Sequence, residues 1–440
     1  MRGDIGSGRP SSKPSTRPSI ARRAALGLVA AAAATYGCAA APTPGNPRFL
    51  VNDPVAPVYQ GIAIRVEGLR PGEAITITSS TRDADGRLWQ AHGVYTASAS
   101  GEVDLTRQAP TEGTYRAVDA MGLLWSMNLA PGQKGPSWFT YDLPEKEPSF
   151  RVALSATDGT AKPATATLVR EWMAPGVTHR AFTLAADGVI GDLYLPRPNA
   201  KPRPAVILLG GSEGGESERS TAAVLAGEGY PALAVAYFHE PGLPDGLANI
   251  PLEYFATAAR RLAVQPGVDS AHILILGASR GSEAALLAAD EFPTLIHGAI
   301  VYAPSAIVNA GFTNTVSPAR TTAWTLHGTP LPTGLEIPLS NVSGPVLAFA
   351  GSDDALWDSP DWAHAIGLQL QLDGDSHPYQ VVVYPDAGHG VAGDVDLPGQ
   401  STTGVEFGHP IDFGGTRQAD SDAQQAAWTQ TLALLASLQH

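Results

Sequence analysis

Short stretches of alternating apolar and polar residues occupy the chain between residues 47 and 163. Residues 62–66 and 74–78 alternate in this way, and turn sequences such as RPG (70–72) and DADG (83–86) separate the stretches. Alternation is typical of half-buried β-strands, and strands spaced this closely are typical of a β-sandwich. The pattern therefore predicts an N-terminal β-sandwich domain over residues 47–163.

The pattern changes after residue 204, where short and fully apolar stretches are separated by segments able to form helices. The apolar stretches lie at residues 206–209, 232–236, 273–276, 298–302, 346–350 and 381–384. Apolar strands that alternate with helices predict a parallel sheet covered on both faces. We therefore expect an α/β domain over residues 165–440, with a leading strand pair at 187–195 and an insertion at 305–343 that is rich in Thr, Pro and Asn.

Composition limits the classes of protein to which the chain can belong. It has 440 residues, of which 44% are hydrophobic, so most of the chain can fold around buried cores. Its 28 Lys and Arg residues against 42 Asp and Glu residues give a net charge of −14, which argues against nucleic-acid binding. A single cysteine excludes an intrachain disulfide framework and a thiolate-rich metal site.

The first 41 residues have the organisation of a bacterial export signal. Residues 1–23 are basic, and residues 24–34 are apolar and uncharged. An apolar segment of about 11 residues is too short to span a bilayer but fits the hydrophobic region of a signal peptide. Arg22 and Arg23 directly before it favour the twin-arginine route, with general secretion as the alternative.

The sole cysteine, Cys38, follows this apolar segment in the sequence TYGCA (35–39). The sequence resembles a bacterial lipoprotein cleavage site, although Thr35 stands where such sites usually have Leu. The alternative is cleavage at an ordinary small-residue site near residues 38–41, in which Cys38 has no role. We therefore expect an exported lipoprotein that is anchored to a membrane outside the cytoplasm through Cys38.

Residues 273–286 have the pattern of a strand, a sharp turn and an Ala-rich helix, and the turn contains GASRG (277–281). In that context G-x-S-x-G is typical of a nucleophile elbow, where a strained serine projects its Oγ at a helix N-terminus. The short motif alone is weak evidence because the chain is rich in glycine, and a second copy occurs at GGSEG (210–214). We assign Ser279 as the nucleophile, and the alternative is a small turn residue without chemistry.

The second copy suits a different role. Its paired glycines, 210–211 and 214–215, follow a predicted strand and favour a loop that presents backbone N–H groups. Such a loop provides part of the oxyanion hole in nucleophile-elbow folds, and the N–H of the residue after the nucleophile provides the rest. We therefore expect the oxyanion hole to be formed by Arg280, Gly211, Ser212 and Glu213.

A catalytic acid and base should follow the serine in the order Asp, His, each on a loop after a strand. Residues 346–350 lead into GSDDALW (351–357), and residues 381–384 lead into PDAGHG (385–390). His389 is the predicted base, with His409 as the second choice. The acid is Asp353 or Asp354, because Asp353 could instead cap the following helix.

At these residues the sequence resembles the family of acyl-CoA thioesterases and bile acid-CoA:amino acid N-acyltransferases. This family is a two-domain branch of the α/β-hydrolases with a dienelactone-hydrolase-like catalytic domain. The resemblance covers nearly the whole chain after residue 46 and rests on long segments. These segments are GLRPG (68–72), GEVDL (101–105), MGLLWSM (121–127), AYFHEPGLP (236–244), IPLEYF (250–255), and IPL (337–339) before GPVL (344–347).

The resemblance implies roles for individual residues. It selects Asp354, the second aspartate of the family's Gly-x-Asp-Asp-x-x-Trp stretch, as the acid, and the family's Pro-x-x-Gly-His motif falls on His389. The transferases of the family have cysteine as nucleophile and the hydrolases have serine, so Ser279 implies hydrolysis. His239 stands where the family usually has another residue. The residues expected to line the substrate pocket are Tyr237, His239 and Trp357, and the insertion at 305–343 is expected to shape the pocket.

The predicted function is hydrolysis of an acyl-CoA thioester to a free fatty acid and CoA through an acyl-serine intermediate. This chemistry requires no metal or organic cofactor. The expected partners are a small-molecule acyl thioester or ester and, through Cys38, a membrane. Because acyl-CoA is normally an intracellular metabolite, the export signal leaves two alternatives. One is an exported carboxylic-ester hydrolase on the same scaffold, and the other is a non-catalytic envelope lipoprotein that binds a lipid or a partner.

Overall fold

The computed structural model describes residues 46–135, 138–159, 162–198, 201–313, 321–406 and 409–439. The predicted export signal, with Arg22, Arg23 and Cys38, lies outside these residues. Within the described part of the chain, no helix combines the length and the apolar character needed to cross a membrane.

The N-terminal part folds into two packed β-sheets and one short helix. Its elements are β1 (Arg48–Val51), β2 (Val55–Pro57), β3 (Ile64–Glu67), β4 (Ala74–Arg82), β5 (Leu88–Thr96), β6 (Glu102–Asp104), β7 (Glu112–Gly113), α1 (Gly122–Trp125), β8 (Asn128–Leu129), β9 (Ser149–Thr157) and β10 (Ala164–Glu171). The small sheet has the order β1-β3-β6, and the large sheet has the order β2-β10-β9-β4-β5-β7 with β8 beside β5. Alternate residues of β4 and β5 are buried, as the sequence pattern predicts.

The sandwich extends further along the chain than predicted. Strand β10 pairs with β9 over its full length, from Ala164 opposite Ala156 to Glu171 opposite Ser149. The predicted boundary at residue 163, with a connecting segment from 165, is therefore wrong. The alternating sequence ATATLVRE, which fills β10, was the available signal.

The rest of the chain forms an eight-stranded sheet with helices on both faces. Its elements are β11 (Thr178–Phe182), α2 (Leu184–Asp187), β12 (Ile190–Leu195), β13 (Arg203–Leu209), α3 (Arg219–Gly227), β14 (Ala232–Ala236), β15 (Ile250–Pro251), α4 (Glu253–Ala263), β16 (Val268–Ala278), α5 (Arg280–Glu291), β17 (Ala299–Tyr302), β18 (Trp324–Leu326), β19 (Thr329–Pro330), β20 (Val346–Gly351), α6 (Ser359–Asp373), β21 (Tyr379–Tyr384), a 3₁₀-helix (His389–Ala392), β22 (Thr403–Glu406), β23 (His409–Asp412) and α7 (Arg417–Ser437). The sheet order is β11-β12-β14-β13-β16-β17-β20-β21, and the pairs from β14 onward are parallel. The predicted fold class, an α/β-hydrolase domain preceded by a β-sandwich, is confirmed.

The leading strand pair differs from the prediction. It joins β11 to β12 in antiparallel register, and Asp187 ends the one-turn helix α2 between them. Thr183 caps this helix by accepting a hydrogen bond from Ala186 N, and Gly188 ends it with a positive φ of 78°. Only the second strand of the pair therefore falls inside residues 187–195.

The insertion at 305–343 is part of the core. Trp324, Ile337 and Leu339 are almost fully buried and belong to the apolar cluster that includes helix α5. Strands β18 and β19 form a small sheet with β15. The described part of the insertion therefore braces the helix that follows Ser279.

Candidate active site

Ser279 lies at the turn between β16 and α5 with φ 50° and ψ −119°. This backbone conformation is sparsely populated by residues other than glycine, and it is the strained geometry expected of a nucleophile elbow. A Cβ added to Gly277 would lie 2.3 Å from Gly281 O, and one added to Gly281 would lie 2.4 Å from Gly210 O. The two flanking glycines therefore let the strand, the turn and the helix approach one another.

His389 and Asp354 reach Ser279 from the loops that follow β21 and β20. His389 Nε2 lies 3.0 Å from Ser279 Oγ, and His389 Nδ1 lies 2.8 Å from Asp354 Oδ2. With its proton on Nδ1, the imidazole donates to Asp354 and accepts from the serine hydroxyl. The structure thus brings together the three side chains that the sequence analysis assigned as nucleophile, base and acid.

The structure separates the two candidate aspartates. The Asp354 side chain has no exposed surface and accepts hydrogen bonds from Leu356 N at 3.0 Å and from the Ser359 hydroxyl. Asp353 is exposed, and its Oδ1 accepts from Ser352 Oγ at 2.9 Å. The residue at the N-cap of the following helix is Asp358, so the alternative role of Asp353 as a helix cap is wrong.

The imidazole of His389 has two aromatic rings beside it. The Phe413 ring is stacked on it with centroids 6.1 Å apart, and the Trp357 ring meets it edge-on at 5.7 Å. His389 N also donates to Phe413 O at 2.7 Å. The second candidate base, His409, is the first residue of β23, and the triad contact is made by His389.

Asp420 in the first turn of α7 is a residue of this site that the sequence analysis missed. It is buried, and its Oδ1 accepts from Gly388 N, next to the catalytic-site histidine, at 2.7 Å. Burial raises the pKa of Asp420 to about 6, with a further increase from Asp354 and an opposing effect of His389. No sequence motif marked this aspartate, because only the packing of α7 brings it behind the histidine.

The predicted oxyanion loop lies against the nucleophile. A Cβ added to Gly211 would be 3.1 Å from Ser279 Cβ, and Ser212 lines the cavity beside it. Arg280 is the first residue of α5, so its N–H has no acceptor within the helix. Gly211 N donates to Glu213 Oε1 at 2.7 Å, so this N–H is occupied in this conformation. The assignment of Gly211 and Glu213 to the oxyanion hole stays a prediction.

A cavity of about 800 Å³ opens beside Ser279 and His389. Of the predicted pocket residues, only His239 lines it. Tyr237 is 2% exposed, and its hydroxyl donates to Gly210 O at 2.6 Å, so it supports the oxyanion loop instead. Trp357 contacts the imidazole rather than the cavity. Tyr237 and Trp357 therefore lie behind the cavity lining, and the prediction that they line the pocket is wrong.

The insertion contributes less to the cavity than predicted. Of its described residues, only Phe312 lines the cavity. The N-terminal sandwich contributes Tyr59, Trp138, Phe139 and Tyr141. The two domains therefore form the cavity jointly. Among the described residues, no group of three or more His, Cys, Asp or Glu side chains is arranged to hold a metal ion.

Two family models match the chain. Residues 60–183 match the acyl-CoA thioester hydrolase/BAAT N-terminal region, and residues 326–438 match the BAAT/acyl-CoA thioester hydrolase C-terminal region. The second match includes Asp354 and His389, whereas Ser279 lies between the two matched regions.

Relatives that align over most of the chain are found among mammalian proteins. The chain is 32% identical to mouse acyl-coenzyme A thioesterase 6 over 395 residues, which cover 83% of this chain and 90% of that protein. It is 31% identical to mouse mitochondrial acyl-coenzyme A thioesterase 2 over 391 residues, 84% of each chain. It is 31% identical to human acyl-coenzyme A thioesterase 1 over 396 residues, 84% of this chain and 91% of that protein.

Solved structures give more distant likenesses. A dienelactone hydrolase-like promiscuous phosphotriesterase from metagenomic libraries is 18% identical with a TM-score of 0.41, and covers 60% of this chain and 100% of its own. An esterase from Pyrobaculum calidifontis is 17% identical with a TM-score of 0.41, and covers 59% of this chain and 85% of its own.

Proposed function

Since the chain belongs to the acyl-CoA thioester hydrolase/BAAT family, we propose that it hydrolyses acyl-CoA to a free fatty acid and CoA. We assign Ser279 as nucleophile, His389 as general base and acid, and Asp354 as the carboxylate that orients the imidazole. The observation that carries this proposal is the continuous hydrogen-bonded series from Ser279 Oγ through His389 to Asp354 at the wall of a large cavity.

The first half of the reaction forms an acyl-serine. Ser279 Oγ attacks the thioester carbonyl carbon while His389 Nε2 takes the hydroxyl proton, and Asp354 stabilises the imidazolium. Collapse of the tetrahedral intermediate breaks the C–S bond, and the imidazolium returns its proton to the departing CoA thiolate. In the second half, His389 takes a proton from water, the hydroxide attacks the acyl-serine, and the free acid leaves with Ser279 reprotonated.

Backbone N–H groups stabilise the negative charge on the carbonyl oxygen of the intermediate. The proposed donors are the N–H groups of Arg280, at the start of α5, and of Ser212 in the neighbouring loop. Gly211 N–H becomes a third donor only when Glu213 releases it. The Ser279 nucleophile supports transfer of the acyl group to water rather than to an amino acid.

Matched serine variants and a substrate panel test this proposal. We expect Ser279→Ala to lower kcat by about 10⁴-fold or more, as loss of the nucleophile does in other serine hydrolases, without changing Tm by more than about 2 °C. Ser212→Ala is the control, and it should keep at least about a third of the activity because the loop acts through backbone donors. Inactive Ser212→Ala with active Ser279→Ala would reverse the assignment.

The panel compares acyl-CoAs of several chain lengths with matched simple esters, with glycine and taurine as possible acceptors. At least one acyl-CoA should exceed its matched ester in kcat/KM, because a thioester has less resonance stabilisation and a better leaving group. An ester-only profile would support the exported carboxylic-ester hydrolase, and no turnover of either class would support a non-catalytic lipoprotein.

We also propose that the protein is exported and anchored to a membrane through a lipid on Cys38. The sequence of residues 1–41 supports this proposal. In a bacterial host the wild-type protein should fractionate with membranes, and Cys38→Ser should release it as a soluble protein. Wild-type protein in the cytosol with an uncleaved N-terminus would overturn the proposal.

A further inference from the structure

The cavity beside Ser279 also has an acidic wall, made of Glu213, Glu218 and Asp394. Asp394 follows the 3₁₀-helix that holds His389, and both of its carboxylate oxygens accept tyrosine hydroxyls of the sandwich. Tyr59 donates to Oδ1, and Tyr141 donates to Oδ2 at 3.3 Å. Loss of contact with water raises the pKa of Asp394 despite these two donors.

Glu218 precedes helix α3 and interacts electrostatically with the other two carboxyl groups. Burial, Asp394 and Glu213 together raise the pKa of Glu218 to about 8. Among the described residues that line the cavity there is no Lys or Arg. The nearest arginine in sequence, Arg219, pairs with Asp192 and Glu216 instead. The acidic wall therefore has no permanently charged partner within the cavity lining that the structure describes.

A second group of the cavity lining also has unused hydrogen-bonding capacity. Gln424 is 1% exposed, and its Oε1 has no hydrogen-bond partner in the described part of the chain. Its Nε2 donates to Gly390 O at 2.6 Å and to Gln400 Oε1 at 3.1 Å, and Gln400 Nε2 donates to Asp394 O at 2.7 Å. These bonds fix the amide so that Oε1 is its free atom. A buried acceptor without a donor is costly unless a ligand supplies one.

Charge determines which part of the substrate meets this wall. The phosphates of CoA are negatively charged and would meet acidic side chains and no Lys or Arg among the described residues of this lining, so this side of the cavity disfavours the CoA part. The acyl group is the remaining part, and a plain alkyl chain would leave Gln424 Oε1 without a donor and the carboxyl groups without an opposite charge. An acyl group that carries a positively charged donor would satisfy both.

We propose that the acidic wall and Gln424 bind a protonated amine on the acyl group of the substrate. This inference rests on the proposed function in assigning the ligand to the acyl group. The ammonium group supplies several N–H donors and one positive charge, whereas a hydroxyl supplies one donor and no charge. The site therefore selects amino-acyl groups over plain acyl, hydroxyacyl and carboxyacyl groups.

Binding to the Ser279→Ala protein tests the wall independently of hydrolysis. The probes are hexylammonium, hexan-1-ol and hexanoate, compared by isothermal titration calorimetry at pH 7. Hydrogen bonds to charged groups predict that hexylammonium binds about tenfold or more tightly than hexanol, and hexanoate should bind most weakly. Equal or weaker binding of hexylammonium would overturn the proposal even if the protein hydrolyses thioesters.

Conservative variants then locate the interaction. Glu218→Gln and Asp394→Asn, alone and together, should each reduce the preference for hexylammonium over hexanol, and the double variant should abolish it. Asp373→Asn, which changes an exposed residue at the end of α6, is the matched control and should keep the full preference. If the double variant fails to fold, the single variants decide. An unchanged preference in both would overturn the assignment.

Turnover provides the last comparison. The active enzyme should show a higher kcat/KM for 6-aminohexanoyl-CoA than for hexanoyl-CoA, and Glu218→Gln should reverse the order chiefly through KM. Probe selectivity without any thioester turnover would refute the proposed function while retaining an amine-binding cavity. Turnover with a preference for hexanoyl-CoA would refute the inference and retain the proposed function.

Discussion

Asp354 contacts His389 and Asp394 lines the cavity beside it, yet the surroundings of the two aspartates differ. Asp354 accepts hydrogen bonds from a backbone N–H, a serine hydroxyl and the His389 imidazole, which becomes cationic during the reaction. Asp394 accepts from two neutral tyrosine hydroxyls and lies near Glu218 and Glu213. The hydrogen-bond donors and the neighbouring charges therefore distinguish the two carboxyl groups, and burial alone does not. Asp354 has a partner within the protein that becomes cationic, whereas Asp394 has none among the described residues.

The comparison assigns different tasks to the two regions. The triad is complete within the chain, because each polar atom of Ser279, His389 and Asp354 that the mechanism uses already has its partner. The acidic wall has no Lys or Arg partner in the described cavity lining, and Gln424 Oε1 in the same lining lacks a donor, so we assign the wall to binding a molecule from outside. The predictions below weaken one region at a time.

The largest effect should come from the triad carboxylate. Asp354→Asn should lower kcat/KM by about 10⁴-fold, because an amide favours the wrong imidazole tautomer and cannot stabilise the imidazolium. Asp353→Asn is the matched control, and its exposed side chain should allow activity within about threefold of the wild type. Steady-state kinetics on one acyl-CoA measures both, and similar losses in the two variants would contradict the assignment of Asp354.

The charge of the acidic wall should affect the stability of the folded protein. The pKa of Glu218 is raised to about 8 in the folded protein, so the folded state binds more protons than the unfolded state between about pH 4.5 and 8. The free energy of unfolding contributed by Glu218 therefore falls as the pH rises through this window. Glu218→Gln removes the fall, so its Tm relative to the wild type should be about 2 °C or more higher at pH 9 than at pH 5.

Thermal unfolding at pH 5, 7 and 9 measures this difference. The Asp373→Asn control should give a Tm offset from the wild type that is independent of pH. If the Tm difference between Glu218→Gln and the wild type is constant, or falls with rising pH, the charge of Glu218 does not destabilise the folded protein. That result would remove the contrast between the two regions.

Sequence patterns predicted the parts of the molecule that depend on local order along the chain. The apolar stretches 232–236 and 346–350 correspond to strands β14 and β20, and the elbow motif predicted the strained turn at Ser279. The loops after β20 and β21 predicted the positions of the acid and base because parallel strands present their carboxyl ends at one edge.

Other features depend on contacts between distant segments, which no local pattern encodes. The acidic wall combines Glu218 before α3 with Asp394 after the 3₁₀-helix, and Tyr59 of the sandwich donates to Asp394. Tyr237 is predicted to line the pocket, but its buried hydroxyl donates to Gly210 O instead. The cavity lining therefore required the structure.

A smaller effect should come from Asp420, behind the triad. Its pKa is raised to about 6, so it is largely ionised at pH 7, and its carboxylate interacts electrostatically with His389. Asp420→Asn keeps an acceptor for Gly388 N but removes the charge. We expect the acid limb of the kcat/KM profile to move to lower pH, with plateau activity within about threefold of the wild type.

Asp422→Asn is the control for this shift, since Asp422 lies in the same helix and bonds to Gln418. Its pH profile should coincide with that of the wild type. A plateau loss in Asp420→Asn without a shift of the acid limb would assign Asp420 a structural role only, and would separate it from the electrostatics of the triad.

The smallest effect should come from Glu213, which belongs to the acidic wall and also contacts the oxyanion loop. Its carboxylate accepts Gly211 N–H at 2.7 Å and so occupies a donor beside Ser279. Glu213→Ala frees this donor and removes a negative charge from the place where negative charge develops in the transition state. Both changes favour the reaction, so kcat should rise by about two- to fivefold, within the range of one weak hydrogen bond.

Glu240→Gln, a nearby acidic position that does not line the cavity, is the control and should leave kcat unchanged. A loss of about tenfold or more in Glu213→Ala, measured by steady-state kinetics at pH 7 and 8, would show that the carboxylate holds the loop in its active conformation. In that case one acidic residue would serve both regions, and the division between the triad and the acidic wall would not be complete.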